Sequence, residues 1–278
     1  MAHVTKTRAE KLLDKEFKVL DHGFVRLVDY LGSDERIVQS ARVSYGKGTK
    51  SVRRDKGLID YLMRHEHTSP FEQVVFTFHV KMPIFVARQW VRHRTARMNE
   101  ISGRYSILTD EFYVPADKDI HQQSTTNMQG RDESSPAAPL LRKEIRRRLV
   151  ESNQEAYGQY QDMIESGISR EIARINLPLS LYTEFYWQMD LHNLFHFLRL
   201  RMDHHAQLEI REYAKVVAKI VKTVCPYAYE SFERHILGGC RLSTEEIQAV
   251  KNLIAGKASG LPARRNRDFR EKLGLDEQ

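Results

Sequence analysis

From Val75 to Met82 the chain alternates, with Phe76, Phe78, Val80 and Met82 on one side and Val75, Thr77, His79 and Lys81 on the other, which predicts a strand with one buried face. The same period of two recurs farther on, where Leu179, Leu181, Thr183, Phe185, Trp187 and Met189 share a face. GFVRLVDYLG, from Gly23, reads as a third strand, and GRYSILTDEFYVP as extended chain. Elsewhere the period is helical. SDERIVQSARVS predicts a helix capped by Ser33 or Asp34, and KGLIDYLMRHEH one whose face is Leu58, Ile59, Leu62 and Met63. PIFVARQWVRHR reads as a helix opened by Pro83, with Arg92, His93 and Arg94 at its C-terminal end, where cations complement the dipole.

Residues 140–166 predict a charged helix, and ISREIARINLP a short one stopped by Pro178. Nearly everything from Asp190 to Val224 is helix-forming, and CPYAYESFERHILGG adds a helix ended by Gly-Gly. STEEIQAVKNLIAG carries a capping box, Ser243 with Glu246, before a basic tail. Residues 116–139 are polar and poor in large apolar side chains, so they read as a long excursion or mobile insertion. Strands and helices mix without a regular βαβ order. The pattern predicts an α+β fold, mixed helices packed on an antiparallel-rich sheet in a single domain with appended ends.

Composition narrows the class. The 278 residues are 41% hydrophobic, enough for a globular chain with a sizeable core. A formal charge of +7 and a pI near 9.3 invite a nucleic-acid reading, to which the basic tail and RRDK contribute. Yet 37 acidic residues are interspersed with 44 basic ones, and the aromatics sit in strand patterns that suit a core better than a stacking platform. No nucleic acid is expected as a partner. Two cysteines, Cys225 and Cys240, without a CxxC, give neither a disulfide framework nor a cysteine zinc site, and fit a reducing cytoplasm. The first residues lack an apolar signal core, and no apolar run approaches the roughly 18 residues of a membrane span, so a soluble, cytoplasmic protein is expected.

Four stretches could carry chemistry: HEHTSPFE from His65, RQWVRHRTARMNEISGRYS from Arg88, DLHNLFH from Asp190 and RLRMDHHAQLE from Arg199. His192 and His196 lie four apart, a spacing that would suit zinc, but no HExxH glutamate accompanies them, and no metal is assigned. His204 and His205, adjacent on a helix, would point apart. Ser102 with His93 could form a nucleophile and base, yet no nucleophile elbow surrounds the serine. The arginines are harder to dismiss. Arg92, Arg94, Arg97 and Arg104 cannot all be paired by Glu100, and unpaired guanidinium beside Asn99, Ser102 and Gly103 implies an external anion.

RHR, seven residues, then Ser102, continuing as GRYS, resembles the signature of the flavin-dependent thymidylate synthases. The resemblance extends through HEHTSPFEQVVFTFHVKMPIFVARQWVRHR, EIARINLPLSLYTEFYW and FLRLRMDHHAQLEIREYA. It covers residues 17–239, leaving 1–16 as an N-terminal extension and 240–278 as a C-terminal helix and basic tail, with the insertion at about 116–139 inside the domain. Arg97 departs from the pattern, standing where many members have serine.

The resemblance implies methylation of dUMP to dTMP, with 5,10-methylenetetrahydrofolate as carbon donor and FAD, reduced by NADPH, as hydride carrier, in a homotetramer with shared sites. It implies FAD contacts at Ser69, Arg92, His93, Arg94, Glu100, Asp190, Leu191, His192 and His196. It implies dUMP contacts at Gln89, Trp90, Val91, Arg92, Glu100, Ile101, Ser102, Gly103, Arg104, Arg174 and Arg201, with Arg201 activating the uracil ring. Neither cysteine lies in a matched motif.

Overall fold

The structure, a computed structural model, describes residues 5–43, 52–125 and 128–275. The two alternating segments become neighbouring strands. β3 (Val75–Pro83) and β7 (Tyr182–Asp190) pair antiparallel from Val75 opposite Asp190 to Pro83 opposite Tyr182. Phe76, Phe78, Val80, Met82, Phe185 and Trp187 are thereby buried on one face, as the period of two requires. Leu179 does not join them: it precedes the strand and is exposed. β1 (Glu16–Val19), β2 (Gly23–Leu31) and β4 (Arg97–Glu100) complete a five-stranded antiparallel sheet in the order β1-β2-β3-β7-β4. The α+β class and the antiparallel sheet expected from the sequence are present.

Helices α4 (Ile84–Trp90), α7 (Leu191–Arg201) and α8 (Leu208–Val224) cover the apolar face around Trp90. Its ring centroid lies 4.6 Å from Phe197, 5.0 Å from Trp187 and 6.1 Å from Tyr213. A buried aromatic contributes roughly 1.5–3 kcal/mol and each ring pair about 0.5–1.5 kcal/mol more. Trp90 is therefore the anchor that fixes where α4 ends. Tyr213 donates its hydroxyl to the Lys81 carbonyl at 2.7 Å, and a Cβ on Gly23 would meet that hydroxyl at 1.9 Å, so only glycine fits there.

Four expectations are corrected. α4 ends at Trp90, which leaves Arg92, His93 and Arg94 in the turn beyond it, and Pro83 closes β3 just before the helix. The stretch Asp190–Val224, expected to be nearly all helix-forming, breaks after Arg201, where the Asp203 carboxylate accepts the His205 backbone N–H at 2.8 Å and competes with helical bonding. The polar insertion is a hairpin, β5 (His121–Gln123) with β6 (Arg131–Pro136), pinned by Arg131, which bonds Glu209 at 2.6 Å and the Asp119 carbonyl at 2.7 Å. The basic tail contains a helix, numbered below.

α2 (Asp34–Arg42), α3 (Val52–Arg64), α5 (Pro139–Glu165) and α6 (Arg170–Ala173) follow the sequence pattern. Ser33 stands at the N-cap of α2, while Asp34 caps α9 (Pro226–Phe232) by accepting the Tyr227 and Ala228 N–H groups at 2.9 and 3.0 Å. The chain divides into compact units Met1–Tyr229 and Glu230–Gln278, a division earlier than residue 239. In the first, α1 (Thr7–Glu10) buries Ala9, and Leu13 bridges to Leu27. In the second, α10 (Thr244–Ile254) shows the expected capping box, and α11 (Ala263–Lys272) ties Lys272 to Glu246 at 2.6 Å.

Candidate functional site

Past Trp90 the chain turns sharply, with the His93 N–H donating to the Trp90 carbonyl at 3.1 Å. The His93 ring meets the edge of Phe197 at 4.9 Å, so the aromatic anchor also seats the first catalytic candidates. Arg201, the last residue of α7, donates from Nε to His93 Nε2 at 3.0 Å and from Nη2 to the Gln89 carbonyl at 3.2 Å. Burial, then the charges of Arg201 and His196, pushes His93 down to about 4, so the imidazole is neutral at pH 7. His196, 6.1 Å away between ring centroids, is also lowered, first by burial and then by Arg199, His192 and Arg201. Burial lowers Arg201 as well, and no carboxylate pairs with it among the described residues. The guanidinium groups of Arg92 and Arg94 likewise have no bonded partner among the described residues. With His93, Asn193 and His196 they line a cavity of about 240 Å³.

A second group lies on β4 and the loop after it. Glu100, the one carboxylate of the signature, accepts from Thr183 at 2.6 Å and pairs with none of the arginines among the described residues. The loop closes on itself: the Tyr105 and Ser106 N–H groups donate to the Ser102 carbonyl at 3.0 Å, and the Arg104 N–H to the Ser102 hydroxyl at 3.3 Å. Gly103 is buried, and a Cβ there would sit 3.1 Å from Cδ of Arg174 and 3.0 Å from Leu108, so its bare backbone is what lets the Arg174 stem lie against the loop. Arg104 pairs with Glu171 at 3.3 Å, both about half exposed. The Arg174 guanidinium has no bonded partner among the described residues. No hydrogen bond or ion pair joins the two groups, among the described residues.

The other expected contacts fall in distinct roles. Trp90 and Leu191 have fully buried side chains, so only their main chain could meet a ligand, and the Leu191 N–H already donates to the Val74 carbonyl at 2.8 Å. Asp190 caps α7, accepting from Asn193 N and Nδ2 at 3.0 and 2.8 Å. His192 is half-buried on the same helix. Ser69 is exposed on the loop before Phe71, which packs against Phe195 of α7. Val91 and Ile101 are exposed, and the Ile101 N–H donates to the Glu184 carbonyl at 2.9 Å. Arg97 lies exposed on β4, 3.5 Å from Gln188.

Ser102 and His93 are not bonded to one another, which removes the nucleophile and base pairing. His204 and His205 do not point apart: in the turn after α7 their rings lie 3.8 Å apart, and with Asp203 their donor atoms fall within 4.8 Å, all exposed. Sequence reasoning missed Glu171 and strand β4. Glu171 could have been found at the start of the short helix that carries Arg174. Burial pushes the Cys225 thiol well above its usual value, with Asp34 and Glu35 adding to it, and the side chain is inaccessible.

Comparisons with known proteins give the family. Residues 26–227 match the family described as thymidylate synthase complementing protein. The flavin-dependent thymidylate synthase of Treponema denticola is 65% identical over 262 residues, 94% of this chain and 98% of the relative. That of Thermus thermophilus is 58% identical over 236 residues, 85% of each. The crystal structure of a UMP/dUMP methylase, PolB from Streptomyces cacaoi, bound with 5-Br dUMP, superposes with a TM-score of 0.71 at 33% identity, covering 78% of this chain and 97% of that one. No described helix is long and apolar enough to cross a membrane.

Proposed function

The chain belongs to the flavin-dependent thymidylate synthase family, and on that premise we propose that its two arginine groups are the two halves of one site for dUMP and FAD. The reaction is the methylation of dUMP to dTMP, with FAD as cofactor. The observation that carries the assignment is Arg201, a part-buried guanidinium with two neutral hydrogen-bond partners and no carboxylate. Such a cation, with its charge unanswered by a carboxylate, favours an incoming anion.

The residues suit a flavin dinucleotide. Arg92 and Arg94 offer unpaired guanidinium groups for a diphosphate, and neutral His93 and His196 line the same cavity. At about 240 Å³ that cavity is smaller than the roughly 300–1,000 Å³ of most small-molecule sites, so one chain encloses only part of the cofactor. The second half, Ser102, Gly103, Arg104 and Arg174, supplies backbone close approach and cation for the dUMP phosphate. No hydrogen bond or ion pair joins the halves among the described residues, and a second copy completes each site, in a homotetramer. Bound FAD, reduced by NADPH, supplies the hydride, and 5,10-methylenetetrahydrofolate the carbon.

Arg201 holds positive charge against the uracil ring as N3 ionises and C5 gains electron density, an electrostatic activation in place of a thiolate. Cys225 cannot serve, being sealed in the core with its proton held. The test is tritium release from C5-labelled dUMP by the flavin-loaded protein with the folate and NADPH. Release with dTMP formation is expected. A yellow, folded protein that binds dUMP and releases no tritium would overturn the reading.

A further inference from the structure

We propose that His93 is a positioning residue for Arg201, a neutral imidazole whose bare Nε2 fixes the guanidinium and turns its free edge toward the substrate ring. The proposal rests on the reading of Arg201 given above and adds to it. An arginine has two hydrogen-bonding edges, the side edge formed by Nε–H with Nη2 and the end edge formed by Nη1 with Nη2. In this chain the side edge is occupied: Nε donates to His93 Nε2 at 3.0 Å and Nη2 to the Gln89 carbonyl at 3.2 Å. Two bonds along one edge fix the plane of the guanidinium. The Nη1 groups and the outer Nη2 N–H stay available for a ligand.

The acceptor's charge decides what this contact can do. A carboxylate at position 93 would hold Arg201 as firmly, but it would cancel the positive charge that an ionising uracil needs and repel the anion itself. An imidazole accepts one hydrogen bond and leaves the charge whole. Its surroundings keep it in that form. The ring is part-buried, and Arg201 and His196, which face it from α7, both disfavour a second proton. With Nε2 accepting, the single ring proton sits on Nδ1. Phe197, packed edge-on at 4.9 Å, and behind it Trp90, hold the ring at this angle, which links the core to the orientation of the catalytic arginine.

The contact can be read without turnover. In flavin-loaded protein carrying ¹⁵N-labelled histidine, the His93 nitrogens should report a bare Nε2 and a protonated Nδ1 at pH 7. Protonated Nε2 would overturn the proposal, even in a fully active enzyme. The kinetic arm uses variants with flavin occupancy read first from the visible spectrum. H93L, which has no acceptor, should lower kcat about tenfold to a hundredfold through a misplaced catalytic group, with a smaller change in KM for dUMP. H93Q, whose amide oxygen reaches the Nε2 position, should recover most of that loss. In an Arg201→Ala background H93L should cost much less than it does alone, because two residues acting through one contact are not additive.

Equal losses for H93L in the two backgrounds, or H93Q no better than H93L when both hold flavin, would also overturn it. If H93L comes out without flavin, H93N takes its place, since its shorter amide keeps polarity but cannot reach Nε2, and the same drop is expected. Absence of dTMP formation by the unaltered, flavin-loaded protein would instead sink the assignment of the reaction, leaving the tautomer measurement to decide the contact.

Discussion

Two regions of this protein are crowded with arginine, and they behave in opposite ways. On α5, Arg147 pairs with Glu144 at 2.8 Å and Glu151 at 2.7 Å, Arg148 with Glu144 at 2.7 Å, and Arg146 with Asp117 at 2.9 Å. Around the turn after α4, just past α6 and at the end of α7, the guanidinium groups of Arg92, Arg94, Arg174 and Arg201 meet no carboxylate among the described residues. The sequence explains the contrast. Glu144 and Glu151 stand three or four residues from their partners, where a helix brings side chains together, whereas residues 90–99 contain no acid at all. Cation density therefore says little by itself. What marks an anion site is cation that the folded chain leaves without a carboxylate, as at Arg174, whose sequence neighbour Glu171 pairs with Arg104 instead.

The hardest way to break that comparison is to remove the part-buried cation of Arg201. Arg201→Ala should depress turnover on the order of a hundred- to a thousand-fold, the usual effect of losing one preorganised charge or donor, while flavin stays bound. Cys225→Ala with Cys240→Ala should leave substantial dTMP formation. Tritium release from C5-labelled dUMP, after flavin content is checked, measures both. A folded, flavin-loaded but inactive cysteine-free protein would replace electrostatic activation with a thiol route.

The next effect is on binding. Arg174→Ala should weaken dUMP about tenfold to a hundredfold, from the loss of roughly 1.5–3 kcal/mol of charged hydrogen bonding, and leave flavin content unchanged. Arg92→Ala should weaken both ligands, since it belongs to both sets of expected contacts. Calorimetric titration with dUMP, beside flavin absorbance, separates the two. Unchanged dUMP affinity in Arg174→Ala would detach the second arginine group from the substrate.

These residues differ in how far the sequence betrays them. β3 and β7 were legible because both alternate with one face apolar, and burial follows that face residue by residue. β4 was not. Arg97, Met98, Asn99 and Glu100 show no alternation, and they form a strand only because the exposed edge of β7 pairs their backbone. The β5 and β6 hairpin was hidden for a similar reason, its anchor being the long-range Arg131–Glu209 pair. The end of α4 depends on Trp90 finding Phe197 and Tyr213 in helices more than a hundred residues away. At the site, residue types could be read from the motif blocks. That no hydrogen bond or ion pair joins the two groups among the described residues could not, because spacing in sequence does not say which side chains share a pocket.

Carboxylates show the same contrast, and pH exposes it. Exposed Glu144, bonded by Arg147 and then Arg148, is pulled down to about 2, while Asp34, buried and met by two neutral N–H groups, is pushed up from 3.8 to about 6, burial outweighing those bonds. A raised folded-state value means that the folded protein holds the proton more tightly. Asp34 thus contributes stability that is fully present below about pH 4 and lost as pH rises through about 6. Relative to Asp34→Asn, the unaltered protein should lose on the order of 1–3 kcal/mol across that window, read by denaturant unfolding at several pH values. A difference that stays flat, or grows with pH, would show that the two capping bonds outweigh burial.

The smallest expected effect tests the other side of the comparison. Arg147→Ala removes a guanidinium held by two glutamates on an exposed helix face, where solvent screens the pairing. Its charge is already answered within the chain, so no ligand anion should depend on it. Affinity for dUMP, flavin content and kcat should match the unaltered protein in the same titration and tritium assays that register Arg174→Ala and Arg92→Ala. Adding salt should weaken dUMP binding equally in Arg147→Ala and the unaltered protein, and less in Arg174→Ala, which has lost a phosphate-binding cation. If Arg147→Ala weakened dUMP as much as Arg174→Ala does, carboxylate pairing would not distinguish structural arginines from ligand-binding ones, and α5 would have to be counted part of the anion site.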